Sequence, residues 1–210
     1  MRGILITFEG IEGSGKSTQV ERLATYLRSR GLDCVVSREP GGTELGERIR
    51  TILLDPKYQM DPLTELLLYL ASRNQHVRQT VLPALQKGRV VILDRFSDSS
   101  VAYQGYGRGL GARLVSRLNR LATAGLKPHL TILVDLPVAT GKQRKPDGKL
   151  DRLEQETVEF HERVRQGYLQ LARRAAGRFK KVDGTLEPDR LAAAIRKLVD
   201  ELLVRKGILR

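Results

Sequence analysis

The chain has 210 residues, 40% of them hydrophobic, enough to bury a sizeable core and too apolar for a disordered polymer. No apolar run approaches the ~20 residues of a membrane-spanning helix, and the few residues ahead of the first motif are too short for a secretory leader. A net charge of +13, from 37 basic and 24 acidic residues, raises a nucleic-acid partner, but no long basic run occurs and Tyr and Phe do not interleave with Arg as in a base-stacking platform.

The surplus equally fits a site for small polyanions. The lone cysteine, Cys34, excludes an internal disulfide and fits a reducing compartment, so a cytoplasmic protein without a membrane or nucleic-acid partner is expected.

In chain order, residues 3–8 predict a short apolar strand, and 16–30 a helix with Val20, Leu23, Ala24 and Leu27 on one face. A second strand is expected at 33–37. Asp61-Pro62 opens a long helical stretch over 62–87. Further strands are expected at 89–93, 129–134 and 179–182, with helices at 153–176 and 188–205. The breaker run Lys145-Pro146-Asp147-Gly148 marks a late loop. Strands alternating with helices predict an α/β fold: a five-stranded parallel sheet with helices on both faces, a three-layer sandwich in one domain spanning 1–210. Ligands then bind at the carboxyl ends of the strands.

Between the first strand and helix lies Gly10-Ile11-Glu12-Gly13-Ser14-Gly15-Lys16-Ser17, followed by Thr18. Strand, loop and helix are the setting a phosphate-binding P-loop requires. The glycines allow the backbone path that turns N–H groups inward, and the helix N-terminus adds positive charge. Residues 10–18 are therefore expected to hold ATP, with Lys16 at the β- and γ-phosphates and the Ser17 hydroxyl on Mg²⁺. The fold is thus of the P-loop NTPase type. The strand at 89–93 runs into Asp94, expected to serve Mg²⁺, partly through water. Arg95, next in sequence, suits a bidentate clamp on an acceptor phosphate or a surface ion pair at a strand end. An acceptor phosphate monoester is already anionic near neutral pH and needs no general base, so catalysis reduces to positioning and charge neutralisation. His76, His129 and His161 are scattered without metal-ligand spacing and read as structural or surface.

Five segments together resemble the bacterial thymidylate kinases over essentially the whole chain. They are Phe8-Glu9-Gly10 with the rest of the P-loop, Ser37-Arg38-Glu39-Pro40-Gly41-Gly42-Thr43, Leu68-Tyr69-Leu70-Ala71-Ser72-Arg73, the run 94–105 from Asp94-Arg95-Phe96 to Gln104-Gly105, and Leu150-Asp151-Arg152-Leu153-Glu154. The resemblance implies ATP + dTMP → ADP + dTDP with Mg²⁺, in a homodimer packed through helices. Within it, Glu12 faces the acceptor sugar. Tyr69 stacks on thymine, where family members usually carry Phe, and Arg73 bonds the base carbonyl. Ser99 and Ser100 read the base edge, and Tyr103 closes over the deoxyribose where a 2′-hydroxyl would have to fit. Gln104 holds the base or its loop. Glu39-Pro40 forms a turn beside the acceptor, with a cis bond expected, and Arg50 faces that pocket. On residue type alone, a core aromatic, a solvated Arg73, a helix-surface Arg50 and a capped helix start over 99–104 stay open.

The family takes the arginine covering the donor phosphates either from the P-loop or from a lid. Positions 13 and 14 hold Gly and Ser, so the lid at about 141–152 is expected to supply it. Arg144 and Arg152 are the candidates, with Lys142, Lys145 and Lys149 in support. A kinase for another nucleoside monophosphate or nucleoside, with Glu9 or Glu12 as base, remains open, as does a nucleic-acid-dependent P-loop ATPase.

Overall fold

Among the described residues, five strands form one sheet in the order β2-β3-β1-β4-β5, every neighbouring pair parallel. They are β1 (Ile4–Glu9), β2 (Cys34–Arg38), β3 (Val90–Asp94), β4 (Leu130–Asp135) and β5 (Phe179–Asp183). The structure is a computed structural model that describes residues 3–144 and 150–209. Lys145 and Lys149, named above as lid support, lie outside the described residues.

Side chains alternate across each strand, so β1 feeds two cores. Ile4, Ile6 and Phe8 pack against Val20, Leu23 and Leu27 of α1 (Lys16–Ser29) and against Leu191, Ile195 and Val199 of the C-terminal helix Pro188–Arg205. On the opposite face Leu5 joins Val91, Leu93, Val77, Val81, Leu85 and Phe96. Thr7 sits in that second series. Its register partner on β4 is Thr131, and the two buried hydroxyls bond each other at 3.0 Å.

Every strand ends in a charged residue: Glu9, Arg38, Asp94, Asp135 and Asp183. Apolar patterning places the strand ends one residue early, because pairing continues onto these residues after burial by apolar neighbours stops. The register sets Phe8 and Arg38 level with Asp94. One edge of the sheet therefore gathers the charge.

Between the strands run α2 (Glu44–Leu54), capped by Thr43 Oγ1 accepting from Gly46 N–H, and α3 (Pro62–His76), capped by Asp61. The single helix expected over 62–87 is interrupted. A π-helical turn at Val77–Val81 separates α3 from α4 (Leu82–Gln86). Pro83 has no N–H to donate to the preceding turn, and Leu82 N–H reaches back to the Val77 carbonyl, five residues away. After β3, α5 (Ser97–Ser100) widens into a second π-helical turn at Val101–Gly107. Then follow α6 (Ala112–Ala122) and, after β4, α7 (Val138–Gln143). The helix expected over 153–176 is α8 (Val158–Arg174), its start fixed by Thr157 accepting from Phe160 N–H. The C-terminal helix is α9 (Pro188–Arg205).

Candidate functional site

A cavity of about 330 Å³ opens at the carboxyl ends of the strands. The P-loop contributes Glu12, Gly13, Lys16 and Ser17. Arg38, Glu39, Pro40 and Arg50 come from the end of β2 and from α2, Tyr69 and Arg73 from α3, and Asp94 and Arg95 from the end of β3. Ser99, Ser100, Tyr103 and Gln104 close one wall, and Asp151, Leu153 and Glu154 another.

The P-loop is tightly braced. Gly13 has φ +74°, and a Cβ there would stand 2.3 Å from the Gly141 carbonyl of α7. Ser14 Oγ donates to Ile11 O at 2.8 Å. Lys16 Nζ rests on the same carbonyl at 2.8 Å and on Ser14 Oγ at 3.3 Å. Burial, aided by Arg95, draws its pKa down to about 8, against the pull of Asp94, Glu12 and Glu9. The Ser17 hydroxyl donates to Asp94 Oδ2 at 2.5 Å. Two hard oxygen donors converging beside a phosphate loop suit Mg²⁺, which takes few protein ligands and keeps water and phosphate oxygens for the rest. Thr18 lies exposed in the first turn of α1.

Arg95 directly follows β3 and is held by the P-loop and by the turn at Val101–Gly107. Its φ of +70° lies in the left-handed region, a cost of about 1–2 kcal/mol for a non-glycine residue. That backbone throws the guanidinium back over the cavity. Nη2 donates to Glu12 Oε1 at 2.6 Å and to the Tyr103 hydroxyl at 3.2 Å, and the group lies 5.0 Å from the Tyr103 ring centre. Tyr103 in turn donates to Glu12 Oε2 at 2.6 Å. Burial pushes the Glu12 carboxyl upward, but Arg95, Lys16 and Tyr103 outweigh it and leave its pKa at about 2. Glu12 is thus a carboxylate at any working pH, turned toward Arg95.

Arg73 is no solvated arginine: it is 1% exposed. Nε donates to Glu39 Oε2 (2.6 Å), Nη1 to Ser100 Oγ (2.8 Å) and Asn119 Oδ1 (2.6 Å), and Nη2 to the Phe96 carbonyl (3.1 Å). Of five guanidinium N–H groups, one is left for the cavity. Glu39 also holds His76 Nδ1 at 3.0 Å, so this histidine is structural. Burial raises the Glu39 carboxyl, yet Arg73 and His76 hold it below the usual range. The Glu39–Pro40 bond is cis, and Arg50 Nη1 donates to the Pro40 carbonyl at 3.0 Å. Arg50 lines the cavity and is not a helix-surface residue. Burial and neighbouring Arg38 lower its pKa.

Other expected residues take different partners. The two serines expected at the base edge are engaged inside the protein, Ser100 by Arg73 and Ser99 by Glu9 at 2.6 Å. Gln104 Nε2 donates to Glu65 Oε1 at 2.7 Å. Tyr69 forms part of the wall, its hydroxyl pushed up by burial and by Glu65. Arg152 is held by Glu65 and by the end of α2. Nη1 donates to Glu65 Oε2 at 2.6 Å and Nε to the Leu53 carbonyl at 2.8 Å, because the fully buried Glu65 needs cationic partners and takes Arg152 and Arg108. Arg144, just past α7, donates to the Gly184 carbonyl beyond β5 at 2.7 Å.

Sequence reasoning passed over Glu65, Asn119, Tyr168 and the bidentate pair of Asp98 with Arg178 at 2.7 and 2.8 Å. One signal was present: Glu65, Tyr69, Arg73 and His76 recur at helical spacing, a polar stripe on a helix face that turns inward. Tyr168 gave none. No group of three or more metal-type side chains occurs among the described residues.

The family model described as thymidylate kinase matches residues 8–195. A thymidylate kinase of Carboxydothermus hydrogenoformans is 50% identical over 203 residues, covering 96% of this chain and 99% of that protein. One from Kosmotoga olearia is 49% identical over 195 residues, 92% and 94% of the two chains. The crystal structure of thymidylate kinase from Ehrlichia chaffeensis superposes with a TM-score of 0.78 at 34% identity, covering 95% of this chain and 99% of that one.

Removing the partner of a buried cation leaves an uncompensated charge. Glu39→Ala is expected to cost about 3–5 kcal/mol of stability, read by urea denaturation. A loss under about 1 kcal/mol would mean that Arg73 does not depend on Glu39.

Proposed function

This chain belongs to the thymidylate kinase family, and from that premise we propose how its residues transfer the γ-phosphate of ATP to dTMP, giving ADP and dTDP. The observation that carries the reading is the placement, around one cavity, of a triphosphate loop and an arginine-lined pocket with Glu12 between them. Lys16 is the cation for the β- and γ-phosphates. The P-loop amides and the start of α1 cradle the same chain of phosphates. Ser17 and Asp94 would hold Mg²⁺, which neutralises charge on the donor phosphates when bound.

On the acceptor side, Arg95 clamps the dTMP phosphate, with Arg38 and Arg50 adding charge across the cavity. The acceptor oxygen is already anionic, so no side chain needs to take a proton. Glu12, ionised throughout, sets the arginine's direction and accepts from the 3′-hydroxyl of the sugar. Tyr103 fills the space a ribose 2′-hydroxyl would need. Tyr69 offers a face to the base, and the remaining N–H of Arg73 a donor to its carbonyl. Arg144 is the candidate for covering the donor phosphates. Arg152, tied to Glu65, acts on the acceptor side.

A homodimer belongs to the same reading. Leu63 and Leu67 of α3 and Leu114 and Leu121 of α6 are 43–78% exposed on two helices that pack together, an apolar face suited to a second copy. A cytoplasmic location is supported by the single free Cys34 and by the absence, among the described residues, of any helix long and apolar enough to cross a membrane.

With ATP and Mg²⁺, ADP release is expected to be fast only with dTMP from a panel of nucleoside monophosphates, nucleosides and polynucleotides. Stimulation by another acceptor or by polynucleotide alone would displace this reading. Arg144→Ala is expected to lower kcat by ~10³-fold, and Arg152→Ala to act chiefly on KM for dTMP. A change in kcat under about threefold for Arg144→Ala would remove that arginine from the donor site. In sedimentation analysis Leu67→Glu is expected to give a monomer; an unchanged dimer would place the interface elsewhere.

A further inference from the structure

Glu9 ends β1 with no exposed surface, on the strand face that also carries Leu5 and Thr7. Neither Glu9 nor Tyr168 of α8 lines the cavity; both stand behind its wall. The Glu9 carboxylate accepts from Phe96 N–H at 2.8 Å, from Ser99 Oγ at 2.6 Å and from the Tyr168 hydroxyl at 3.0 Å. The two hydroxyls are 2.8 Å apart, and both accept from Arg95 Nη1, at 3.2 Å for Ser99 and 3.0 Å for Tyr168.

A guanidinium only donates, so any hydroxyl facing it must present a lone pair. The hydroxyl's own proton then needs another acceptor. Ionised Glu9 accepts from both hydroxyls, which completes the chain Arg95 to hydroxyls to carboxylate. A protonated Glu9 loses this polarity: its O–H claims a hydroxyl lone pair, and that hydroxyl's proton is left without the carboxylate.

We propose that Glu9, Ser99 and Tyr168 are positioning residues for Arg95, with ionised Glu9 orienting two hydroxyls that fix Nη1 of the guanidinium, while Nη2 is held by Glu12 and Tyr103 and the Nε N–H is left for the acceptor phosphate. The proposal rests on Arg95 being the acceptor clamp. It makes dTMP affinity depend on the charge of a residue that touches neither substrate.

The groups facing Glu9 are Asp98 from α5, Arg95 and Lys16 from the ends of the β3 and P-loop segments, Tyr168 from α8, and Arg178, which is paired to Asp98. Burial and then Asp98 raise its pKa to about 7, against Ser99 and Arg95. The orienting charge is therefore complete above that pH and is lost as the pH falls through it.

Steady-state kinetics from pH 5.5 to 9 test this on the wild type, Glu9→Gln, Tyr168→Phe and Arg95→Lys. The second ionisation of the dTMP phosphate, near ~6, is common to all four proteins and cancels in the comparison. In Glu9→Gln the KM for dTMP is expected to rise ~10-fold at pH 8.5, with the KM for ATP within ~2-fold and the inflection near 7 gone. Tyr168→Phe is expected to raise the dTMP KM ~5-fold and keep that inflection. A dTMP KM within ~2-fold of wild type in both variants, a parallel rise in the ATP KM, or an unchanged inflection in Glu9→Gln overturns the proposal. If Glu9→Gln does not fold, Tyr168→Phe decides by the same KM criteria. An unchanged dTMP KM in Arg95→Lys removes the clamp itself, whereas a raised one beside unaffected Glu9 and Tyr168 variants removes only the positioning role.

Discussion

A guanidinium sealed from water keeps its charge, because arginine does not give up its proton in proteins. It must therefore collect a counter-charge and hydrogen-bond acceptors from whatever surrounds it. Arg73 does so from Glu39 after β2, Phe96 and Ser100 after β3, and Asn119 on α6, while its own backbone belongs to α3. Desolvating such an ion costs several kcal/mol unless all of these contacts form together. One side chain thus forces four separate chain segments to meet at a single point. That point lies in the wall of the cavity, so the demand that stabilises the fold also shapes the site.

Arg95 depends on this wall in a different way. Its left-handed backbone is unfavourable for a residue with a Cβ, and it is held by the N–H to the Phe8 carbonyl at 2.9 Å and by the ring of oxygens around its guanidinium. Strain here is compensated by contacts that also aim the charge. The cavity lining sets Lys16, Arg38, Arg50, Arg73 and Arg95 beside Glu12, Glu39, Asp94, Asp151 and Glu154, so its cations are matched by carboxylates and the charge is arranged, not merely accumulated.

The parallel sheet was legible because strands buried on both faces read as unbroken apolar runs, such as Val90-Val91-Ile92-Leu93. The P-loop was legible because its backbone path requires glycine at fixed places. Strand ends were misjudged by one residue, since a charged side chain such as Glu9 ends hydrophobicity but not pairing. The partner that makes Arg73 a buried hub is 34 positions away, beyond any local pattern. The partners of Arg152 are hidden for a related reason. Basic residues near a loop look alike in sequence, and only the fully buried Glu65 settles which one is drawn inward. The break after α3 was foreseeable from Pro83; the widening at Val101–Gly107 carried no such mark.

The contact between Gly13 and α7 bears on how this chain can change over generations. A side chain at 13 collides with backbone at Gly141, which cannot rotate aside, and Ser14 is 1% exposed with its hydroxyl committed to Ile11. An arginine cannot enter the phosphate loop at either position by a single substitution. At 13 it becomes acceptable only after the α7 backbone has shifted. Glycine at 13 and glycine at 141 are therefore coupled, and a lineage that carries both tends to keep both.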